Sequence, residues 1–223
     1  MTFADQLDAL EHAHGPQRPG WPVDPYAFLI WWHCGYPASD AACARGWDSL
    51  NEQVGITPDE LLAPKAAVLT RALRPGGLVP ELRAKRIREV ATAVRTEFGG
   101  NLARALGALS PQRARAVLKR FPGISDPGAD RILLFAGLST GAAVPSNAPQ
   151  VAMRMQLGRT DASYARTYAE SQRIIQTGVP EKLASRQRAY LLLKVHGQTF
   201  CKRSRPLCAT CPIAAGCTQV LRE

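Results

Sequence analysis

Four cysteines crowd into the end of the chain as Cys201-x6-Cys208-x2-Cys211-x5-Cys217, and no other feature so narrows what that stretch can become. Short polar and proline-containing loops let all four thiolates reach one centre, and four is the number taken by a tetrahedral zinc or by a four-iron cluster. Zinc ribbons usually carry two Cys-x2-Cys pairs. Here one such pair stands between longer, unequal gaps, a spacing that favours iron and sulfur. The N-terminus, Met1 to Leu7, offers neither a basic leader nor an apolar signal core. A reducing, cytoplasmic compartment is therefore expected, where structural disulfides are rare. Cys34 and Cys43 stand apart and read as small core residues, since apolar surroundings raise a thiol's pKa and make it inert.

The charge balance points to a partner. Of 223 residues, 28 are Lys or Arg and 18 are Asp or Glu, for a net charge of +10 and a pI near 9.7. Such a balance attracts phosphate backbones or anionic lipid surfaces. No apolar run approaches the roughly 20 residues of a membrane span, so no membrane role is expected and nucleic acid becomes the leading partner. With 46% apolar residues the chain can bury one sizeable core or two small ones.

Apolar spacing predicts helix after helix and almost no strand. Ala4 to His12 is helical, and Gly15 to Pro25 is an extended connector. A buried helix spans Tyr26 to Cys34. Ser39 caps a helix running to Leu50, and Thr57-Pro58-Asp59-Glu60 opens another. Pro80 to Phe98 carries Leu82, Ile87, Val90, Ala91 and Val94 on one face, while Arg83, Lys85, Arg86, Arg88 and Arg95 read as a solvated basic outer side. Further helices are expected at Asn101 to Leu109, Ser110 to Phe121, Gly128 to Gly137, Asn147 to Gly158, Ser163 to Thr177 and Glu181 to His196. The class is all-α.

A second motif lies at Arg113 to Gly137. A basic helix ends in Leu118-Lys119-Arg120-Phe121, the turn Pro122-Gly123-Ile124-Ser125-Asp126-Pro127 follows, and Gly128-Ala129-Asp130 enters a new helix. Helix, tight glycine-containing hairpin, helix aims backbone N–H groups outward, where a phosphate can bind. Ile124 would pin the hairpin to its two helices. A plain helical corner is the competing reading.

Taken together, the helix-hairpin-helix, the helix ending in Leu193-Lys194-Val195-His196-Gly197, Phe200 and the cysteine loop resemble the endonuclease III branch of the helix-hairpin-helix (HhH-GPD) DNA glycosylases. Pro25-Tyr26-Ala27-Phe28-Leu29-Ile30 and Ala38-Ser39-Asp40 are similar to that family's first core helix and the turn after it. The resemblance implies a two-lobed protein with a helical barrel domain, residues 27–141, ending in the hairpin. It implies an iron-sulfur cluster domain, residues 1–26 with 142–223, in which Cys201, Cys208, Cys211 and Cys217 hold a [4Fe-4S] cluster. It implies a monomer in which double-stranded DNA, damaged or mispaired, occupies the cleft between lobes and a base is turned out of the stack; in a bacterial cell it would be nucleoid-associated. Gly123, Ser125 and Gly128 of the hairpin, and Lys202, Arg203 and Arg205 of the cysteine loop, would meet the DNA backbone. Trp32, His33 and Tyr36 would surround the base.

The catalytic positions depart from the family pattern. Members that also cut the strand place a lysine nucleophile just after the hairpin; Pro127 stands at that position. The family's aspartate falls on Asn147, with Pro145 as the alternative placement, and Gly35-Tyr36-Pro37 occupies the neighbourhood of its DNA-inserting glutamine. Losing a carboxylate that faces a cationic sugar should cost several kcal/mol of transition-state stabilisation. Lyase activity is therefore expected to be absent and glycosylase activity weak or atypical, with Asn147, Asp126 and Asp130 as candidate catalytic residues. Asp126 also reads as a turn residue, Asp130 as a first-turn helix acid, Asp40 as a cap and His33 as a core histidine. The alternative functions are a catalytically inactive protein that binds damaged DNA, or a zinc-stapled helical adaptor. His12 and His14 read as solvated surface.

Overall fold

In the computed structural model, residues 1–146 and 148–221 are described. All their regular structure is helical: α1 (Phe3–His14), α2 (Pro25–His33), α3 (Asp40–Gln53), α4 (Pro58–Leu62), α5 (Ala66–Leu73), α6 (Pro80–Glu97), α7 (Leu102–Gly107), α8 (Pro111–Leu118), α9 (Asp126–Phe135), α10 (Gln150–Leu157), α11 (Tyr164–Gly178), α12 (Leu183–Thr199) and α13 (Thr218–Leu221), with short 3₁₀ turns between some of them. Local chemistry sets most starts. Thr2 and Thr57 form capping boxes with Asp5 and Glu60. The side chains of Asp24, Ser39, Asn101, Ser110 and Ser163 each accept a backbone N–H in the first turn. Pro25, Pro58 and Pro111 follow their caps, where the missing N–H costs nothing.

The chain divides into two compact units, residues 19–125 and residues 1–18 with 126–223. Both breaks come earlier than those expected from the sequence, 26/27 and 141/142. The second difference has a local cause in α9. Gln187 Nε2 of α12 donates to the Leu134 carbonyl at 3.0 Å, and the Tyr168 hydroxyl of α11 donates to Asp130 Oδ2 at 2.7 Å. The helix after the hairpin thus packs with the C-terminal helices.

In the unit of residues 19–125, α2 is largely buried. Phe28, Leu29, Ile30 and Trp31 are buried, and α2 packs against α3, α6 and α7. Each such side chain contributes roughly 1.5–3 kcal/mol through burial, so Trp31→Ala would cost about 3–5 kcal/mol. Helix α5, which the sequence reading passed over, lies on α6 and α3. Arg83 of α6 is a correction. Expected on a solvated face, it is buried, with the guanidinium donating to the carbonyls of Cys34, Gly77 (2.6 Å) and Leu78 (3.1 Å). Three backbone acceptors compensate its desolvation, which favours the uncharged form and lowers its pKa. Gly76 makes this possible, because a Cβ there would collide with the Cys34 carbonyl and the Arg83 side chain.

The other unit buries Phe3, Leu7 and Leu10 of α1 with Val151, Ala152 and Met155 of α10, Ile174 and Ile175 of α11, and Leu192 and Leu193 of α12. Arg186, also buried, donates to the carbonyls of Ile175 (3.0 Å), Gln176 (3.1 Å) and Pro180 (3.1 Å), fastening the end of α11 to α12.

Candidate functional site

The cysteine loop begins where α12 unwinds. The N–H groups of Phe200 and Cys201 both donate to the His196 carbonyl at 2.9 Å, and Leu207 N–H donates to the Phe200 carbonyl at 2.9 Å, closing the segment between Cys201 and Leu207. Cys208 starts a 3₁₀ turn and Cys217 directly follows another, Ala214–Gly216. All four cysteines are free thiols, and all four line one apolar pocket together with Met155, His196, Phe200, Leu207 and Val220. Among the described residues, no three His, Cys, Asp or Glu side chains are grouped closely enough to hold a single metal ion. Burial raises the pKa of Cys201 and Cys211; the neighbouring thiols push in the same direction, and Arg154 opposes the shift at Cys201. Four cysteines lining one apolar pocket would be stabilised as thiolates by a cationic inorganic core, so the residue types fit a thiolate-bound cluster.

Helix α10 supports this loop through residues one turn apart. Gln150 Nε2 donates to the Cys201 carbonyl at 3.0 Å. Arg154 donates through Nη1 to the Lys202 carbonyl at 2.8 Å and through Nη2 to the Arg203 carbonyl at 2.9 Å, with Nη1 also 3.7 Å from Cys201 Sγ. The loop is therefore held by its backbone, and the side chains of Lys202, Arg203 and Arg205 are exposed. Sequence reasoning missed Arg154, because a lone arginine among glutamines and apolar residues gives no motif.

It also misread His14. That ring is half-buried, with Nε2 3.3 Å from His196 Nδ1, while His196 Nε2 lies 3.7 Å from Cys211 Sγ. His196 stacks on Phe200, with ring centroids 5.9 Å apart. Burial first, and then the neighbouring His14, lower the His196 pKa to about 4. Burial lowers the His14 pKa as well.

The hairpin forms a tight turn between α8 and α9. Gly123 adopts φ 69, a left-handed conformation that favours glycine. Ile124 N–H closes the turn on the Phe121 carbonyl at 3.2 Å, and Phe121 and Ile124 are buried while Gly123 and Ser125 are exposed. Helix α9 starts at Asp126, two residues earlier than expected, so Gly128 lies in its first turn, where N–H groups lack intrahelical acceptors. Beside the turn, a Cβ on Gly123 would lie 3.6 Å from His33 Cε1 and 3.9 Å from Arg86 Nη1. His33 is buried, and its pKa is lowered to about 4 by burial and then by Arg86, with the Pro122 backbone opposing. Its ring lies against the hairpin. Trp32 and Tyr36 stack on each other, with ring centroids 4.1 Å apart.

The candidate catalytic residues are placed as follows. Pro127 is buried and Asp126 half-buried in the first turn of α9. Asp130 accepts from the Tyr168 hydroxyl and lies 3.5 Å from Gln172 Nε2. Asn147 lies outside the described residues, and its alternative, Pro145, is buried. Leu78 and Val79 were also missed. They are 89% and 57% exposed at the tip of a turn in which Val79 takes φ 54 and whose carbonyls are held by Arg83. The sequence signal was there in Gly76-Gly77-Leu78-Val79-Pro80, an apolar pair between turn residues.

No protein-family model matches the chain, and no curated protein matches it. Solved structures do. A trapped endonuclease III–DNA covalent intermediate in an estranged-adenine complex superposes with a TM-score of 0.75 at 20% identity, covering 100% of this chain and 99% of that one. A thermostable thymine-DNA glycosylase matches with a TM-score of 0.73 at 16% identity over 99% and 97%. The H. pylori 3-methyladenine DNA glycosylase bound to 1,N6-ethenoadenine matches with a TM-score of 0.66 at 17% identity over 89% and 97%. At these identities the likeness is one of architecture, and this chain has the all-helical fold of the endonuclease III-like helix-hairpin-helix DNA glycosylases.

Proposed function

We propose that the chain is a base-excision-repair glycosylase homologue that binds double-stranded DNA carrying a damaged or mispaired base and lacks lysine-dependent strand cleavage. One observation carries this reading: buried Pro127 follows directly on the exposed turn of Gly123 and Ser125. The turn keeps its glycine and its exposed Ser125, as a phosphate-binding hairpin would, and a proline at the position that matches the family's lysine has no nucleophile to offer. Exposed Lys202, Arg203 and Arg205 supply cations for the backbone. Leu78 supplies an exposed apolar wedge of the kind that separates base steps. Cys201, Cys208, Cys211 and Cys217 would hold a [4Fe-4S] cluster, which when bound fixes the basic loop rather than breaking bonds. With Asn147 in place of a carboxylate, the glycosidic reaction proceeds slowly, assisted by Asp126 or Asp130.

A binder without chemistry is the second reading. It is favoured by the engagement of Asp130 with Tyr168 and Gln172, which keeps that carboxylate occupied. Duplexes carrying oxidised pyrimidine, mispaired adenine, uracil, alkylated base or an abasic site separate the two. Slow base release from at least one of them, with no adduct trapped by borohydride, supports the enzyme. Saturable binding without release on all of them supports the binder. A trapped adduct would overturn the absence of lyase chemistry.

A further inference from the structure

We propose that His14 and His196 form a hydrogen-bond relay ending on the Cys211 sulfur, which positions that ligand and raises the reduction potential of the cluster it holds. The inference rests on reading the cysteine quartet as a cluster site. Its basis is the order of contacts: His14 Nε2 lies 3.3 Å from His196 Nδ1, and His196 Nε2 lies 3.7 Å from Cys211 Sγ.

A neutral imidazole carries one N–H, and a ligating thiolate only accepts. One proton arrangement makes both contacts attractive. His196 donates from Nε2 to Cys211, and its Nδ1 accepts from Nε2–H of His14. The outer histidine therefore fixes the tautomer of the inner one, as an outer-shell partner does for a metal-bound histidine. Stacking on Phe200 and near-complete burial hold the His196 ring in that orientation, while half-buried His14 forms the outer end of the chain. An N–H donated to a cluster sulfur stabilises the more negatively charged, reduced state and so raises the potential.

The test uses the full chain prepared anaerobically, with iron and sulfide assayed and the midpoint potential measured by voltammetry. His14→Ala, which changes only the outer residue, keeps full iron content and lowers the midpoint. His196→Leu lowers it further, and His196→Gln, which retains an N–H donor, restores part of the shift. Should His196→Leu fail to fold, the His14→Ala comparison alone decides. Full iron content with an unchanged midpoint in His14→Ala overturns the relay and leaves the cluster assignment standing. Absence of iron and sulfide from the unmodified protein overturns both.

Discussion

Arg154 Nη1 and the carbonyl oxygen of Lys202 lie 2.8 Å apart, so a side chain of α10 fixes the backbone of the basic segment. A second Nη contact, to Arg203, makes the grip bidentate. Hydrogen bonds from a charged donor contribute about 1.5–3 kcal/mol each. Arg154→Met should therefore weaken DNA binding although residue 154 need not touch DNA, and speed cluster loss. Binding isotherms and the rate of iron release to a chelator would show it. Unchanged values for both would mean that the loop holds its shape without Arg154.

Lys202→Ala, Arg203→Ala and Arg205→Ala should each weaken binding to all duplex sequences about equally. The log–log salt slope should fall by roughly one unit for each residue that meets a phosphate. Three unchanged slopes would remove this loop from the interface.

Leu78→Ala alters a side chain that is 89% exposed, so folding stability should move by no more than about 0.5 kcal/mol. Affinity for damaged duplex should fall while affinity for single strands does not, if Leu78 separates base steps. Arg83→Met is the opposite case. It removes a buried cation and strands three carbonyls, and should cost about 3 kcal/mol in denaturant unfolding.

His33 makes stability depend on pH. Its folded pKa, lowered to about 4, lies below the ordinary value of 6.5, so the unfolded chain binds more protons between those values. The contribution is fully present above pH 6.5, declines as pH falls toward 4, and amounts to about 3 kcal/mol at most. His33→Phe should flatten the stability profile in that window. An equal slope in the variant would assign the effect to other groups.

Much of the helical order was legible because the caps are local. Thr57-Pro58-Asp59-Glu60 carries its own capping box, and Ser39 and Ser110 cap as their sequences suggest. The hairpin was readable for the same reason, since Gly123 and Ile124 act within a few residues of each other. Long-range partners were not readable. Arg83 looks like the other cations of α6 until the carbonyl of Cys34, far back in the chain, arrives beside it. His14 acquires meaning only when His196 is brought against it. Helix α5 escaped notice because Lys65 gives it no side-chain cap and its boundaries depend on packing against α6.

The manner in which Arg154 holds the cysteine loop separates two properties that a surface loop usually trades against each other. It grips main-chain oxygens, which every amino acid possesses, so the identities at 202 and 203 can drift without altering the path of the chain. Contour is inherited from α10, and polarity from the loop itself. Descendants of this protein could thus retune how strongly they cling to a polyanion, one substitution at a time, on an unchanged frame.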